Sequence, residues 1–189
     1  DMVKLFTLDR VRSAPSQLDM TKVLWMNGEH LKRRGPDEVA AGCQAALQRQ
    51  GLWRDDIDPA YFRAVVACMG ERIRLYSDLG EQAAFFFDEE FPYDEKSVKK
   101  RLLKDGALGI LREELAALEA VEPFTAAATD AALHALGERT GRQMGDLVHP
   151  VRVAVSGTGV GPGLFDMLAT MGKERALRRI RRTLATYGG

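Results

Sequence analysis

Apolar residues recur at helical spacing along almost the whole chain, and that periodicity, more than any other feature, restricts the fold to helices. Val39, Cys43, Ala46 and Leu47 form one such stripe, opened by Pro36 and closed by Gly51. Proline suits a helix's first turn and glycine its end. Asp58-Pro59 reads as an N-cap with proline behind it, followed by the stripe Phe62, Val65, Val66, Met69 and Ile73. Ser77 is expected to cap a helix ending at Phe85-Phe86-Phe87, and Asp94 one running to about Lys104. Leu111, Leu115 and Leu118 continue the pattern, Asp105-Gly106 marks a kink or stop, and Thr125 caps a helix ending near Gly141. Only Val151-Arg152-Val153-Ala154-Val155 alternates as a strand would. A lone strand has nothing to pair with, so 143–155 is assigned to a helix against its local propensity. Pro92, after the acidic turn Asp88-Glu89-Glu90, marks a boundary between two helical subdomains.

Charge separates the chain more sharply than its total suggests. The formal net charge is zero, yet residues 1–35 carry a net +3, residues 36–141 a net −8 and residues 142–189 a net +5. Basic ends around an acidic middle suit a polyanion touching both ends, and equally suit two solvated basic surfaces. With 46% hydrophobic and 29% charged residues the chain is an ordinary globular one. It shows no apolar run long enough to span a bilayer and no signal peptide, so a cytoplasmic location is expected. Cys43 and Cys68 have neither zinc nor disulfide spacing and read as buried thiols. Asp1 rather than Met opens the chain, which suggests a piece of a longer protein.

Two segments invite a ligand. The glycine cluster from Ser156 to Gly163 lacks the Gly-Lys-Ser/Thr of a phosphate loop and fits no dinucleotide fingerprint. It reads as an inter-helix connection, or as a loop whose bare backbone approaches a ligand. Pro162 is expected to start the next helix, to about Met171. The last helix is strongly basic: from Lys173 to Arg182, six of ten residues are Lys or Arg. Ala176, Leu177, Ile180 and Leu184 share one side, with Arg175, Arg178, Arg179 and Arg182 roughly opposite. Those guanidinium groups are expected to face outward, where their forks match phosphate bidentately. The histidines His30, His134 and His149 are scattered, and no catalytic or metal-ligating constellation is present in the sequence.

Two stretches resemble bacterial glutamyl-tRNA synthetases closely. The first runs Phe6-Thr7-Leu8-Asp9-Arg10-Val11, Ser13-Ala14-Pro15, Leu18-Asp19 and Lys22-Val23-Leu24-Trp25-Met26-Asn27-Gly28. It is similar to the stem-contact segment after the KMSKS-type loop. The second joins Pro150-Val151-Arg152-Val153-Ala154-Val155-Ser156-Gly157 to Pro162-Gly163-Leu164-Phe165-Asp166 and to Gly172 through Ile180. It resembles the last anticodon-binding subdomain. Glu71-Arg72 and Phe86-Phe87 match the first such subdomain between them.

The resemblance implies an all-α anticodon-binding cage of two helical subdomains, 36–91 and 92–189, preceded by the end of a helical stem-contact region, 1–35. The parent would be a ligase of protein biosynthesis, joining glutamate to its tRNA. ATP and magnesium would serve its missing catalytic, nucleotide-binding domain, since neither ATP motif is in this chain and the fragment needs no cofactor. Its partner would be the tRNA for glutamate, and a monomer is expected. By the same resemblance Arg72 falls on the arginine that reads the third anticodon base. Arg152, Pro162 and Leu164 fall on positions lining the anticodon pocket. Gly161 replaces a position that can carry threonine, so only backbone contact is available there. Lys22 and Asn27 match the stem-contact segment, with capping and packing as their alternative role. Arg175, Arg178, Arg179 and Arg182 complete the expected tRNA-binding set. A synthetase-derived protein-interaction adaptor and a helical DNA-binding regulator are the competing readings.

Overall fold

Capping and glycine stops divide the chain into short helices, none of which could bury its apolar stripe alone. The computed structural model describes residues 4, 6–7 and 18–188. The family-like segments at 8–11 and 13–15 lie outside them. Among the described residues there are eleven α-helices and no strand. They are α1 Met20–Leu31, α2 Pro36–Arg49, α3 Pro59–Met69, α4 Asp78–Gln82, α5 Ala84–Phe87 and α6 Glu95–Arg101. Then follow α7 Ala107–Glu119, α8 Ala126–Thr140, α9 Met144–Ser156, α10 Leu164–Met171 and α11 Lys173–Tyr187. A 3₁₀ turn, Gly70–Arg72, extends α3.

The helix starts follow side-chain chemistry. Asp58 accepts from the Tyr61 amide at 2.7 Å, Asp94 from Ser97 at 2.8 Å and Thr125 from Ala128 at 3.2 Å. Each side chain satisfies an amide that the first turn would otherwise leave unpaired. Gly141 ends α8 in the left-handed region, at φ 69°. The β-branched run at 151–155 is helical, as assigned. Val151, Val153 and Val155 are all buried, which explains how packing overrides their strand propensity.

Three expected boundaries are corrected. Ser77 makes no cap hydrogen bond, and the helix expected through Phe87 breaks at Ala83 into α4 and α5. Asp78 instead turns its carboxylate back onto the Arg74 and Leu75 amides, each at 2.9 Å. Pro162 does not start α10; the chain stays irregular to Gly163 because the Pro162 carbonyl is taken by Arg152. The helix begun at Asp94 ends at Arg101, short of Lys104.

One apolar core runs across both sides of Pro92. α10 packs on α3, while α7 packs against α8, α9 and α11. The closest approach is at Gly157, where a Cβ would sit 2.3 Å from the Pro92 carbonyl oxygen. Gly157 has φ 74° and its carbonyl accepts from the Asp94 amide at 2.8 Å. Only glycine suits both the torsion and the contact. This junction fixes the glycine-rich loop against the end of the first lobe.

Candidate nucleic-acid interface

The junction borders a cleft of about 380 Å³. Met69, Arg72 and Phe85 line it from one side, with Phe91, Pro92, Thr158, Val160 and Gly161 from the other. Arg72 stands exposed on the 3₁₀ turn. The turn is pinned from beneath: Ile73 is buried, and the Asn27 amide donates to the Arg74 carbonyl. Lys32 on the segment after α1 meets Glu71 at 3.1 Å. Asn27 therefore holds the Arg72 turn in place. Lys22 offers an exposed ammonium and lends its backbone amide to Asp19 at 3.2 Å.

Arg152 reaches the glycine loop from α9. Its Nη1 donates to the Pro162 carbonyl at 2.6 Å, which fixes the far end of the glycine loop. Ser156 and Ser97 fix the near end: Ser156 Oγ donates to the Arg152 carbonyl at 2.8 Å, and Ser97 Oγ accepts the Gly159 amide at 3.0 Å. Gly161 has φ 155°, and a Cβ there would lie 3.2 Å from the Arg152 guanidinium. A threonine in this backbone would press on that arginine. Burial, and then the nearby Arg72 charge, hold Arg152 below its usual range. Arg72 lines the cleft and Arg152 stands behind its glycine loop, near enough to feel that charge. Pro162 and Leu164 are buried, so their contribution to the cleft is the loop's shape. Sequence reasoning missed Phe85, Phe91 and Val160 as lining residues. Val160 carried a signal, being the one apolar side chain within the glycine cluster, and it is 73% exposed.

The arginine face of α11 is not the outward face expected from its helical wheel. Arg179 is only 1% exposed. Its forks donate to the Val155 carbonyl at 2.8 Å and the Asp88 carbonyl at 2.7 Å, and it lies 4.6 Å from the Phe91 ring centre. Arg175 donates to the Tyr61 hydroxyl at 2.6 Å and to the Phe86 carbonyl at 2.9 Å. Arg182 donates to the Glu89 carbonyl and lies 4.9 Å from the Phe91 ring. Arg178 alone is mostly exposed, and it too pairs with Glu89, at 2.9 Å. The physical reason is the unpaired carbonyl row at 86–89, where the first lobe ends outside regular helix. Burial opposes the charge of Glu89, but Arg178, Arg179 and Arg175 outweigh it and hold the carboxyl below its ordinary range.

A family model described as "Anticodon binding domain" matches residues 38–184. Glutamate–tRNA ligase 2 of Thermoanaerobacter pseudethanolicus is 34% identical over 181 residues, covering 96% of this chain and 38% of that protein. Glutamate–tRNA ligase of Thermus thermophilus is 36% identical over 187 residues, covering 98% and 39%. The crystal structure of a glutamate–tRNA ligase from Elizabethkingia meningosepticum, in complex with its amino acid, superposes with a TM-score of 0.79 at 25% identity. That match covers 98% of this chain and 36% of the other. The chain spans less than two fifths of the length of these relatives.

Proposed function

The chain belongs to the anticodon-binding domain family, and from that premise we propose that it is the tRNA-recognition part of a glutamate–tRNA ligase, holding the anticodon arm of the tRNA for glutamate. The observation that carries this reading is that exposed Arg72 lines one cleft with the glycine-rich loop, whose Pro162 carbonyl is held by Arg152 at 2.6 Å. A single-stranded anticodon offers unstacked bases whose edges are hydrogen-bond acceptors and donors. A planar guanidinium can hydrogen-bond such an edge or stack on it. Arg72 is placed to do so, since its turn is pinned and its fork is free of protein carboxylates among the described residues. Arg152 sets the loop that closes the cleft, and Val160 and Gly161 present an apolar surface and bare backbone to the base. Pro162 and Leu164 support the loop from within.

The arginines of α11 play a different part. Arg175, Arg179 and Arg182 tie α11 to the segment 86–89, and Arg178 pairs with Glu89, leaving the exposed Lys22 among these cations with charge to spare for RNA. The catalytic step belongs to the rest of a longer protein, which would use ATP and magnesium to join glutamate to the tRNA. Among the described residues no three His, Cys, Asp or Glu side chains come together as a metal-ligand group. Leu18, Met20, Val23, Trp25 and Met26 leave a run of exposed apolar side chains on and beside α1. Such a run is consistent with coverage by the remainder of the parent protein. No helix among the described residues is long and apolar enough to cross a membrane, and we place the parent in the cytoplasm as a monomer.

Fluorescence titration of the chain with the tRNA for glutamate tests the reading. Binding should weaken steeply as salt rises from 50 to 200 mM, because each neutralised phosphate releases a counterion, with a slope of about −0.7 to −0.9 per contact. Absence of binding at low salt, or binding indifferent to salt, would remove the reading.

A further inference from the structure

A second set of cations lies outside the cleft, and the charge segregation of the sequence hides it inside the acidic middle of the chain. α6 is basic: Lys96, Lys99, Lys100 and Arg101 lie on it, with Lys104 just beyond. Its start is tied to the glycine loop by the Gly159 amide on Ser97, at 3.0 Å. Its end forms one wall of a groove whose other wall is the first half of α9, with Lys100, Arg101, Lys104 and His149 lining it. Arg152 follows His149 by three residues on α9, so the two share a helix face.

This arrangement differs from the arginines of α11, which are consumed by carbonyls and Glu89. Among the described residues Lys100 and Arg101 have no ion-pair partner, while Lys104 reaches only Asp146, at 3.7 Å, with both side chains well exposed. Asp105 and Asp146 also line the groove, and Asp146 acts on His149 in the opposite sense to the cations. The Nδ1 of His149 is buried with no hydrogen-bond partner. Burial first, then Arg101, Arg152 and Lys100, hold His149 below its usual range. Arg152 in turn feels Arg72. The groove cations of α6 thus face His149 on α9, one helical turn before Arg152, which holds the loop of the Arg72 cleft.

We propose that Lys100, Arg101, His149 and Arg152 form a phosphate track that carries the RNA backbone along α6 and α9 to the Arg72 cleft. The proposal rests on the reading of the chain as an anticodon-binding unit, and adds where the strand runs. Phosphate contacts fix register and carry no sequence information, whereas base contacts in the cleft specify. The ligand class is a phosphodiester backbone, met by the unpaired cations Lys100 and Arg101.

The test is the salt dependence of tRNA binding by Lys100→Ala/Arg101→Ala, measured beside the unchanged chain. The slope of log affinity against log salt should become shallower by about 1.5, at 0.7 to 0.9 per lost contact. Affinity at low salt should fall at least tenfold and equally for tRNAs with different anticodons. Because Arg101 is half-buried, Lys100→Ala/Lys104→Ala is the companion variant; both of its positions are exposed, and it should lower the slope without altering the thermal melt. The charge-conserving Lys100→Arg should bind as the unchanged chain does. Variants that fold and keep the original slope and affinity overturn the track alone. An unchanged chain that binds no tRNA at any salt overturns both the track and the function on which it rests.

Discussion

Arg179→Ala should destabilise the chain by about 3–5 kcal/mol, the range for removing one partner of a buried charged contact. The side chain is 1% exposed and links three parts of the molecule: the Val155 carbonyl at the end of α9, the Asp88 carbonyl after α5, and the Phe91 ring. Truncation would leave two carbonyls without donors in a closed space, and would leave Glu89 with fewer counter-charges. Burial pulls the Arg179 pKa down to about 10, so it stays charged at neutral pH. Lysine is no substitute, since one ammonium cannot reproduce the spread fork that meets two carbonyls and an aromatic face. Arg178→Ala on the same helix is the control. Its side chain is 57% exposed, and an exposed pair contributes only about 0–1 kcal/mol. Urea unfolding of the two variants separates these cases. A loss below 1 kcal/mol for Arg179→Ala would mean that α11 is not fastened to the first lobe in this way.

Glu114→Leu should stabilise the protein, and do so increasingly as pH rises. Glu114 lies on the buried face of α7 with Ala107, Leu111 and Leu118, and neither carboxyl oxygen has a hydrogen-bond partner. The fork of Arg142, the nearest cation, is spent on Glu113, at 2.7 and 2.9 Å. Burial pushes the Glu114 carboxyl up to about 9, so in the folded chain it is a neutral acid at pH 7. The unfolded chain ionises near the ordinary value of about 4.5. The native state therefore holds the extra proton between those values. Stability from this group is fully present below about 4.5 and declines as pH rises towards about 9. At pH 7 the decline amounts to roughly 3 kcal/mol, from 1.36 kcal/mol per unit. The stability gap between variant and unchanged chain should widen from pH 5 to pH 8 in urea titrations. Parallel profiles would show that Glu114 finds a partner or ionises normally.

These two residues also show where a linear reading stops. Periodicity and caps located most helices, because Asp58, Asp94 and Thr125 act on amides three residues away. The assignment of 143–155 to a helix relied on excluding a lone strand, and burial of Val151, Val153 and Val155 supplies the cause. The wheel of α11 separated two faces correctly but could not say what each face meets. Arg179 is buried because its acceptors lie 24 and 91 residues away in sequence. Glu114 lies inside an apolar stripe, yet nothing in the linear order signals that Arg142 is claimed by the neighbouring Glu113. The cleft was half legible. Arg72, Arg152 and Gly161 came from family resemblance and are brought together, whereas Phe91 and Val160 depend on how Pro92 meets Gly157. The basic α6 escaped notice because it was averaged into an acidic segment.

The most direct test of anticodon reading is the ratio of dissociation constants for two tRNA transcripts that differ only at the third anticodon base, measured for the unchanged chain and for Arg72→Ala. The unchanged chain should prefer the cognate base by about tenfold or more, equivalent to 1.4 kcal/mol, and Arg72→Ala should bring that ratio close to one. Equal weakening on both transcripts, with the ratio preserved, would make Arg72 a phosphate contact and contradict the account.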